Sequence, residues 1–275
     1  MSPRPSPPAQ ARASSSDPSL AAVLLRPVRA TNAFEATVEQ LGTAIRLGVF
    51  AAGDRLPPER ELARSMHVSR ATLREAIAAL RQARLVTTRS GRGGGTVVAE
   101  RPSRAEGTDG SSWQSLVRTV AAATPEHYRE ALVTRRVIEP GTAAIAANND
   151  LTPRERGWLR ETLQAVETAG SQEEYRLADS RLHLAVAKLS GSERLLGLVA
   201  DVQRDLHDML AAIPVLAVNI AHSNDEHQRI VDAVLAGDAE QARDVMECHC
   251  DGTAGLLRGL LGVPYLTPRR DGNLS

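Results

Sequence analysis

Residues 56–98 read LPPERELARSMHVSRATLREAIAALRQARLVTTRSGRGGGTVV, and this stretch decides the fold of the first half of the chain. Pro57-Pro58 opens a helix where proline is tolerated, because first-turn amides have no intrahelical partner, and the helix runs through Leu62 to Met66. His67-Val68 is a short turn, and Ser69 is a good N-cap for a helix whose Leu73, Ala76, Ile77 and Leu80 form one apolar stripe. Leu85-Val86-Thr87-Thr88 and Thr96-Val97-Val98 are β-prone segments separated by Ser90-Gly91-Arg92-Gly93-Gly94-Gly95, which predicts a hairpin with a glycine-rich tip. Upstream, Phe34, Val38, Leu41 and Ile45 recur at helical spacing and Gly48 ends that helix. Three helices and a hairpin in about 70 residues describe a winged helix-turn-helix.

Outward from this segment the chain divides. Its 275 residues suggest two domains at about 150 residues each. The formal net charge is zero, from 33 basic and 33 acidic residues, but that is an average. Residues 1–100 hold 14 arginines, no lysine and 8 acids, a net of +6, which leaves −6 for the remainder. A basic front half and an acidic back half suggest two jobs. Aromatics at 3% leave little for a nucleic-acid surface built on stacked bases and suit Ala/Leu-rich helices.

Residues 1–30, with Pro3, Pro5, Pro7, Pro8, Pro18 and Ser14-Ser15-Ser16, read as a disordered tail. Residues 101–112 combine Pro, Gly, Ser and charge without periodicity and read as a linker, so the winged helix-turn-helix spans 31–100. From Trp113 onward only helical patterns occur, at about 113–122, 126–147, 153–169, 172–189, 193–216, 224–236 and 239–261. Thr152-Pro153-Arg154-Glu155 and Ser171-Gln172-Glu173-Glu174 are capping boxes. The fold class is therefore mostly α, with an all-α antiparallel bundle over 113–263 and a flexible tail at 264–275. No apolar run is long enough for a signal core or a bilayer span. Cys248 and Cys250 lie on different helix faces and cannot form a disulfide framework, which fits a reducing cytoplasm.

In a helix-turn-helix the second helix enters the major groove with its N-terminal residues against base edges. Arg70 and Arg74 sit one turn apart at that position, flanking the apolar stripe, and either guanidinium could pair bidentately with guanine. Arg60, Arg89 and Arg92 are placed to reach phosphates or a minor groove, while Ser69 and Thr72 offer hydroxyls to the backbone. Taken singly, such arginines are more often a solvated face; the joint pattern is what points to double-stranded DNA.

The run Leu56-Pro57-Pro58-Glu59-Arg60-Glu61-Leu62-Ala63, then Val68-Ser69-Arg70-Ala71-Thr72-Leu73-Arg74-Glu75-Ala76, then Leu85-Val86 and Gly91-Arg92-Gly93, resembles the N-terminal domain of the GntR family of bacterial transcription regulators over roughly residues 34–99. The resemblance implies that Arg60, Arg70 and Arg74 contact DNA and that Gly91 lies in a wing touching the minor groove. One departure is Arg84, where the family usually has glycine; a left-handed backbone there would cost ~1 kcal/mol.

In the acidic half, Asp179 and His183 are four apart on one helix and project side by side. His227 heads a stripe with Ile230, Val231 and Val234, and His249 ends another with Ala242, Val245 and Met246. Three imidazoles and a carboxylate thus face the bundle interior, where they are costly unless hydrogen-bonded to partners or bound to a divalent transition metal. The donor set suits zinc first, then nickel or manganese. Tyr175–Gly191 and Asn224–His249 resemble the all-helical FCD effector domain of the FadR subfamily, which implies Asp179, His183, His227 and His249 as metal ligands. Arg135 resembles that family's effector-contacting arginine; the alternative is a surface salt bridge with Glu139. Cys248, Cys250 and His222 read as bystanders.

The resulting expectation is a homodimeric transcription regulator and not an enzyme. It would bind a palindromic operator through the winged helix, as a repressor relieved by a small organic acid bound at the metal. Two alternatives stand beside it: a metal sensor with no organic effector, and a metal-dependent enzyme fused to a DNA-binding head, for which no glutamate base is evident. A fatty acyl-CoA effector is disfavoured by the intact Asp/His set.

Overall fold

The structure is a computed structural model and describes residues 25, 27–28, 32–46, 48–89, 95–99, 125–213 and 217–262. The expected tail before residue 25, the wing tip with Gly91 and Arg92, the linker at 101–112, the helix at 113–122 and the tail from 264 lie outside the described residues.

The head contains α1 (Ala33–Arg46), α2 (Glu59–Ser65), α3 (Arg70–Gln82), β1 (Val86–Arg89) and β2 (Gly95–Val98). The strands pair antiparallel with Val86 opposite Val98 and Arg89 opposite Gly95, which makes the wing. Ser69 caps α3 as its side chain accepts from the Thr72 amide at 3.0 Å. Arg84, just after α3, has φ +57, so the position that usually carries glycine does take the left-handed backbone, at ~1 kcal/mol for a residue with a Cβ.

Six helices follow: α4 (Pro125–Asn148), α5 (Pro153–Glu167), α6 (Gln172–Leu189), α7 (Glu193–Ala211), α8 (Ala217–Ala236) and α9 (Ala239–Leu261). The Thr152/Glu155 capping box is present in both directions. Two boundaries differ from the sequence reading. α7 stops at Ala211 rather than 216, ahead of Pro214, which has no amide hydrogen to continue the helical bonding. α8 begins seven residues earlier than its apolar stripe, at Ala217. Its first two turns carry Asn219, His222 and Ser223, and these polar residues break the pattern because they face a cavity and the head rather than the apolar core.

Two apolar cores result. One fills the head with Leu41, Leu62, Leu73 and Leu80 and continues into Tyr128, Leu132, Leu206, Met209 and Leu257 of the helical half. The other lies within the bundle, around Leu159, Leu182, Ile230 and Val245. Continuity of the first core comes from α1 lying on α9 at very close range. A Cβ at Gly42 would sit 2.1 Å from the Gly259 carbonyl oxygen, and one at Gly259 would sit 2.8 Å from Glu39 backbone atoms, so both positions require glycine. Along this contact Arg46 donates to the Gly259 carbonyl at 2.6 Å, and Arg258 binds Glu39 through Nε at 2.7 Å and Nη2 at 3.3 Å.

Candidate functional site

On the head, Arg60, Arg70 and Arg74 are exposed on α2 and α3, and Arg89 is exposed at the end of β1. The apolar stripe of α3 explains this: Leu73, Ala76, Ile77 and Leu80 are buried and turn the arginines outward. They are not equivalent. Arg74 Nε donates to Glu59 Oε2 at 2.8 Å, whereas Arg70 forms no ion pair among the described residues. Ser69 and Thr72 are 2.9 Å apart at their hydroxyls and engage one another in the cap, so a phosphate would share them with α3.

In the bundle, His183 on α6, His227 on α8 and His249 on α9 converge. They are 3%, 0% and 4% exposed, and one ligand nitrogen from each lies within 4.8 Å of the others. Asp179, one turn before His183, places Oδ1 3.2 Å from His227 Nε2; it touches this imidazole but is not one of the three-residue group. Burial, followed for each by neighbouring positive groups, pushes His227 and His249 well below the ordinary histidine pKa, so both are neutral and keep a lone pair.

Two carboxylates that the sequence reading does not place beside the imidazoles complete the arrangement. Glu139 Oε2 lies 2.9 Å from His183 Nδ1 and 3.2 Å from Arg135 Nε. Glu226 Oε2 lies 2.9 Å from His249 Nδ1. A carboxylate on one ring nitrogen fixes the tautomer and leaves Nε2 of His249 for a ligand, whereas Nε2 of His183 lies 3.5 Å from Arg135 Nη2 and would have to exchange that contact for a metal. Burial alone would raise the Glu139 pKa, but Arg135 and His183 outweigh it and hold the carboxyl well below its usual range. Arg135 is correspondingly held protonated by Glu139. The signal for Glu139 is its i, i+4 spacing from Arg135; the pair is real, but it is buried at 1% and 2% exposure rather than on the surface. Glu226 immediately precedes His227, and nothing in the sequence pattern says that it faces His249.

The three expected bystanders have partners. His222 Nδ1 is 2.9 Å from Glu35 Oε1 on α1, which links this region to the head. Cys248 donates to Asn32 at 3.2 Å, and Cys250 Sγ is 3.8 Å from Glu139. All three follow from the α1–α9 contact and the buried acid cluster, which sequence spacing does not reveal.

A cavity of about 60 Å³ opens beside the imidazoles. Arg135, Asp179 and His249 form one end, Leu206, Leu210, Ile213 and Ile220 supply an apolar wall, and Tyr175, Arg176, Asn219, Ser223 and Thr253 also line it. Whether the residues suit a metal is decided by His227: it is fully buried, its Nδ1 has no hydrogen-bond partner among the described residues, and its Nε2 meets the Asp179 carboxylate at 3.2 Å without forming a hydrogen bond. Such a group costs about 1–3 kcal/mol unless a ligand engages it, and three imidazoles beside a carboxylate are a suitable set. No helix of the described residues is long and apolar enough to cross a membrane.

Comparison with known proteins matches residues 34–98 to bacterial regulatory proteins of the gntR family and residues 130–252 to the FCD domain. An Escherichia coli regulatory protein named for the L-lactate dehydrogenase operon is 34% identical over 213 residues, covering 72% of this chain and 76% of its own. The HTH-type transcriptional regulator LutR of Bacillus subtilis is 28% identical over 227 residues, covering 78% and 96%. Among solved structures, Streptococcus agalactiae GntR is 23% identical with a TM-score of 0.42, covering 80% of this chain and 97% of that one.

Proposed function

The chain belongs to the GntR family of bacterial regulatory proteins, is a DNA-binding transcriptional regulator with an FCD domain, and from that premise we propose how it is controlled. It is a homodimeric cytoplasmic repressor whose two heads bind the half-sites of a palindromic operator. Arg70 and Arg74 read base edges, and Arg60, Ser69, Thr72, Arg89, Gly91 and Arg92 position the backbone. The wing-side residues rest on the family pattern, since Gly91 and Arg92 lie outside the described residues. By the same reading the head is 31–100, the linker 101–112 and the effector and dimerisation domain 113–263. Dimerisation is supported by an apolar stripe on α4, where Val137 and Ile145 are 71% and 42% exposed and Gly141 lies between them.

A divalent transition metal, zinc before nickel or manganese, would be held by His183, His227 and His249 with Asp179, and would supply a positive centre for a carboxylate. Arg135 offers that carboxylate its Nη1, a buried N–H with no partner among the described residues. The effector is thus a small organic acid, and the relative named for the L-lactate dehydrogenase operon makes L-lactate one acid to try. Acid binding alters how α1 of the head sits on α9, since His249 reaches α1 through Glu226, His222 and Glu35. Operator and effector affinities are then reciprocally linked, with couplings typically of about 1–3 kcal/mol.

The observation that carries this reading is the buried His227, neither of whose ring nitrogens forms a hydrogen bond among the described residues, set among converging imidazoles. The test is elemental analysis of protein purified without chelators, followed by operator binding of the loaded protein, using operator DNA selected from random sequence, with small acids added. Stoichiometric metal, lost in His227→Ala, and acid-dependent release are expected; Arg70→Ala should weaken operator binding about 10–100-fold. Release by metal alone would favour a metal sensor, and metal-free protein that still responds to acids would overturn the metal assignment.

A further inference from the structure

We infer that Arg176 is a specificity-determining residue that makes the cavity select dicarboxylates over monocarboxylates; the inference rests on the acid-effector reading above. Arg176 lies on α6 one turn before Asp179 and two before His183, so helical spacing sets all three on one face. It lines the same cavity as Arg135 and His249. Among the described residues Arg176 forms no ion pair, and its Nε is a buried N–H without a hydrogen-bond partner. That combination sets it apart from Arg135, whose charge is matched by Glu139 at 3.2 Å.

Two orphan donors therefore belong to residues lining one small cavity, Nη1 of Arg135 and Nε of Arg176. A buried donor is expensive to leave unpaired, and each is best relieved by an anionic acceptor because hydrogen bonds between charged groups are the strong ones. One carboxylate satisfies the Arg135 and imidazole end. It leaves Nε of the half-buried Arg176 without an acceptor and its guanidinium without an ion-pair partner among the described residues. A second carboxylate supplies both, and the apolar wall of Leu206, Leu210, Ile213 and Ile220 accepts the carbon chain between them. A monocarboxylate such as lactate or propionate satisfies only half of this arrangement.

The test uses the full-length, zinc-loaded protein and measures dissociation constants by calorimetry for succinate and L-malate against propionate and L-lactate, in wild type, Arg176→Gln and Arg176→Lys. In wild type the dicarboxylates should bind at least about tenfold more tightly than their monocarboxylate counterparts. Arg176→Gln should bring that ratio close to one, and Arg176→Lys, which keeps the charge but loses the fork, should restore part of it. Monocarboxylates that bind as tightly as dicarboxylates to wild type, or a ratio unmoved by Arg176→Gln, would overturn the role of Arg176 while leaving the acid-effector reading intact. Failure of every acid to bind, with wild type folded and metal-loaded, would overturn both.

Discussion

Two arginine–glutamate pairs, one in each half of the molecule, use the same chemistry to opposite ends. Arg74–Glu59 on the head is the shorter at 2.8 Å, with side chains 60% and 38% exposed. Arg135–Glu139 in the bundle is longer at 3.2 Å, with both side chains essentially sealed from solvent. Distance would rank the head pair as the stronger, but burial reverses the order. An exposed pair gives up little when broken, so Arg74 can exchange Glu59 for a phosphate or base edge as DNA arrives. A buried pair cannot open, because either partner alone would be an uncompensated charge in the interior. Arg135 is thereby held in one position, and its spare Nη1 is available only to a molecule that enters the cavity. On the proposed function, DNA would be met by charges free to move, and the small ligand by charges that are fixed.

The most demanding challenge to this contrast is Glu139→Ala. It strands the Arg135 guanidinium and removes the carboxylate beside His183, so stability should fall by about 3–5 kcal/mol, read from urea unfolding. A loss below about 1 kcal/mol would mean that the interior is wet enough to solvate Arg135, and the contrast between the halves would collapse.

Next in size is the Glu39–Arg258 pair, which joins α1 to α9 at 12% and 19% exposure and so falls between the two extremes. Glu39→Gln should destabilise by about 1.5–3 kcal/mol in the same measurement, the range for hydrogen bonds to charged groups. A cost equal to that of Glu139→Ala would show that the head–bundle contact is as dry as the bundle interior.

How far each pair is legible in sequence follows from the same physics. The head is readable almost throughout, because a surface function is written as an alternation between an apolar stripe and the arginines it turns outward. The glycine-rich hairpin and the Ser69 cap are legible for local reasons too. The imidazoles are legible as residues at helical spacing on apolar faces. Their partners are not: Glu139, Glu226 and Glu35 are carboxylates on helices, a pattern that normally marks solvent, and only packing in three dimensions buries them. Arg176 is within reach of the spacing argument, one turn from Asp179, yet a lone arginine on a helix is usually a surface residue and does not stand out. The start of α8 and the link from His222 to Glu35 depend on α1 resting on α9, a contact between segments about 200 residues apart that no local pattern encodes.

A smaller effect tests the middle of the burial range through pH. His222, about one-third exposed, is hydrogen-bonded to Glu35 from α1 and lies near Glu226 and Asp225 on its own helix. The Glu35 bond outweighs partial burial and raises its pKa from 6.5 to about 9. A folded-state pKa raised above the unfolded value contributes stability that is complete below about 6.5 and is lost as pH rises through about 9. The thermal midpoint of wild type should therefore exceed that of His222→Gln at pH 6 and converge on it by pH 10. A difference that grows with pH would show that His222 is neutral in the fold and that Glu35 is not its counter-ion.

The smallest expected effect lies at the exposed end, in Glu59→Ala. Loss of the Arg74 partner should change stability by no more than about 1 kcal/mol, since solvent and salt already screen the pair. Its effect on operator binding should be favourable and below about tenfold, because a carboxylate facing the phosphates is removed and Arg74 no longer has to leave a partner. Both effects should shrink with added salt, as screening already weakens what the substitution removes. Glu139→Ala should keep its full cost under the same salt, because mobile ions do not reach a sealed pair. If Glu59→Ala instead weakens operator binding, Glu59 holds Arg74 in a reading position, and the exposed pair is then locked into one geometry no less than the buried one.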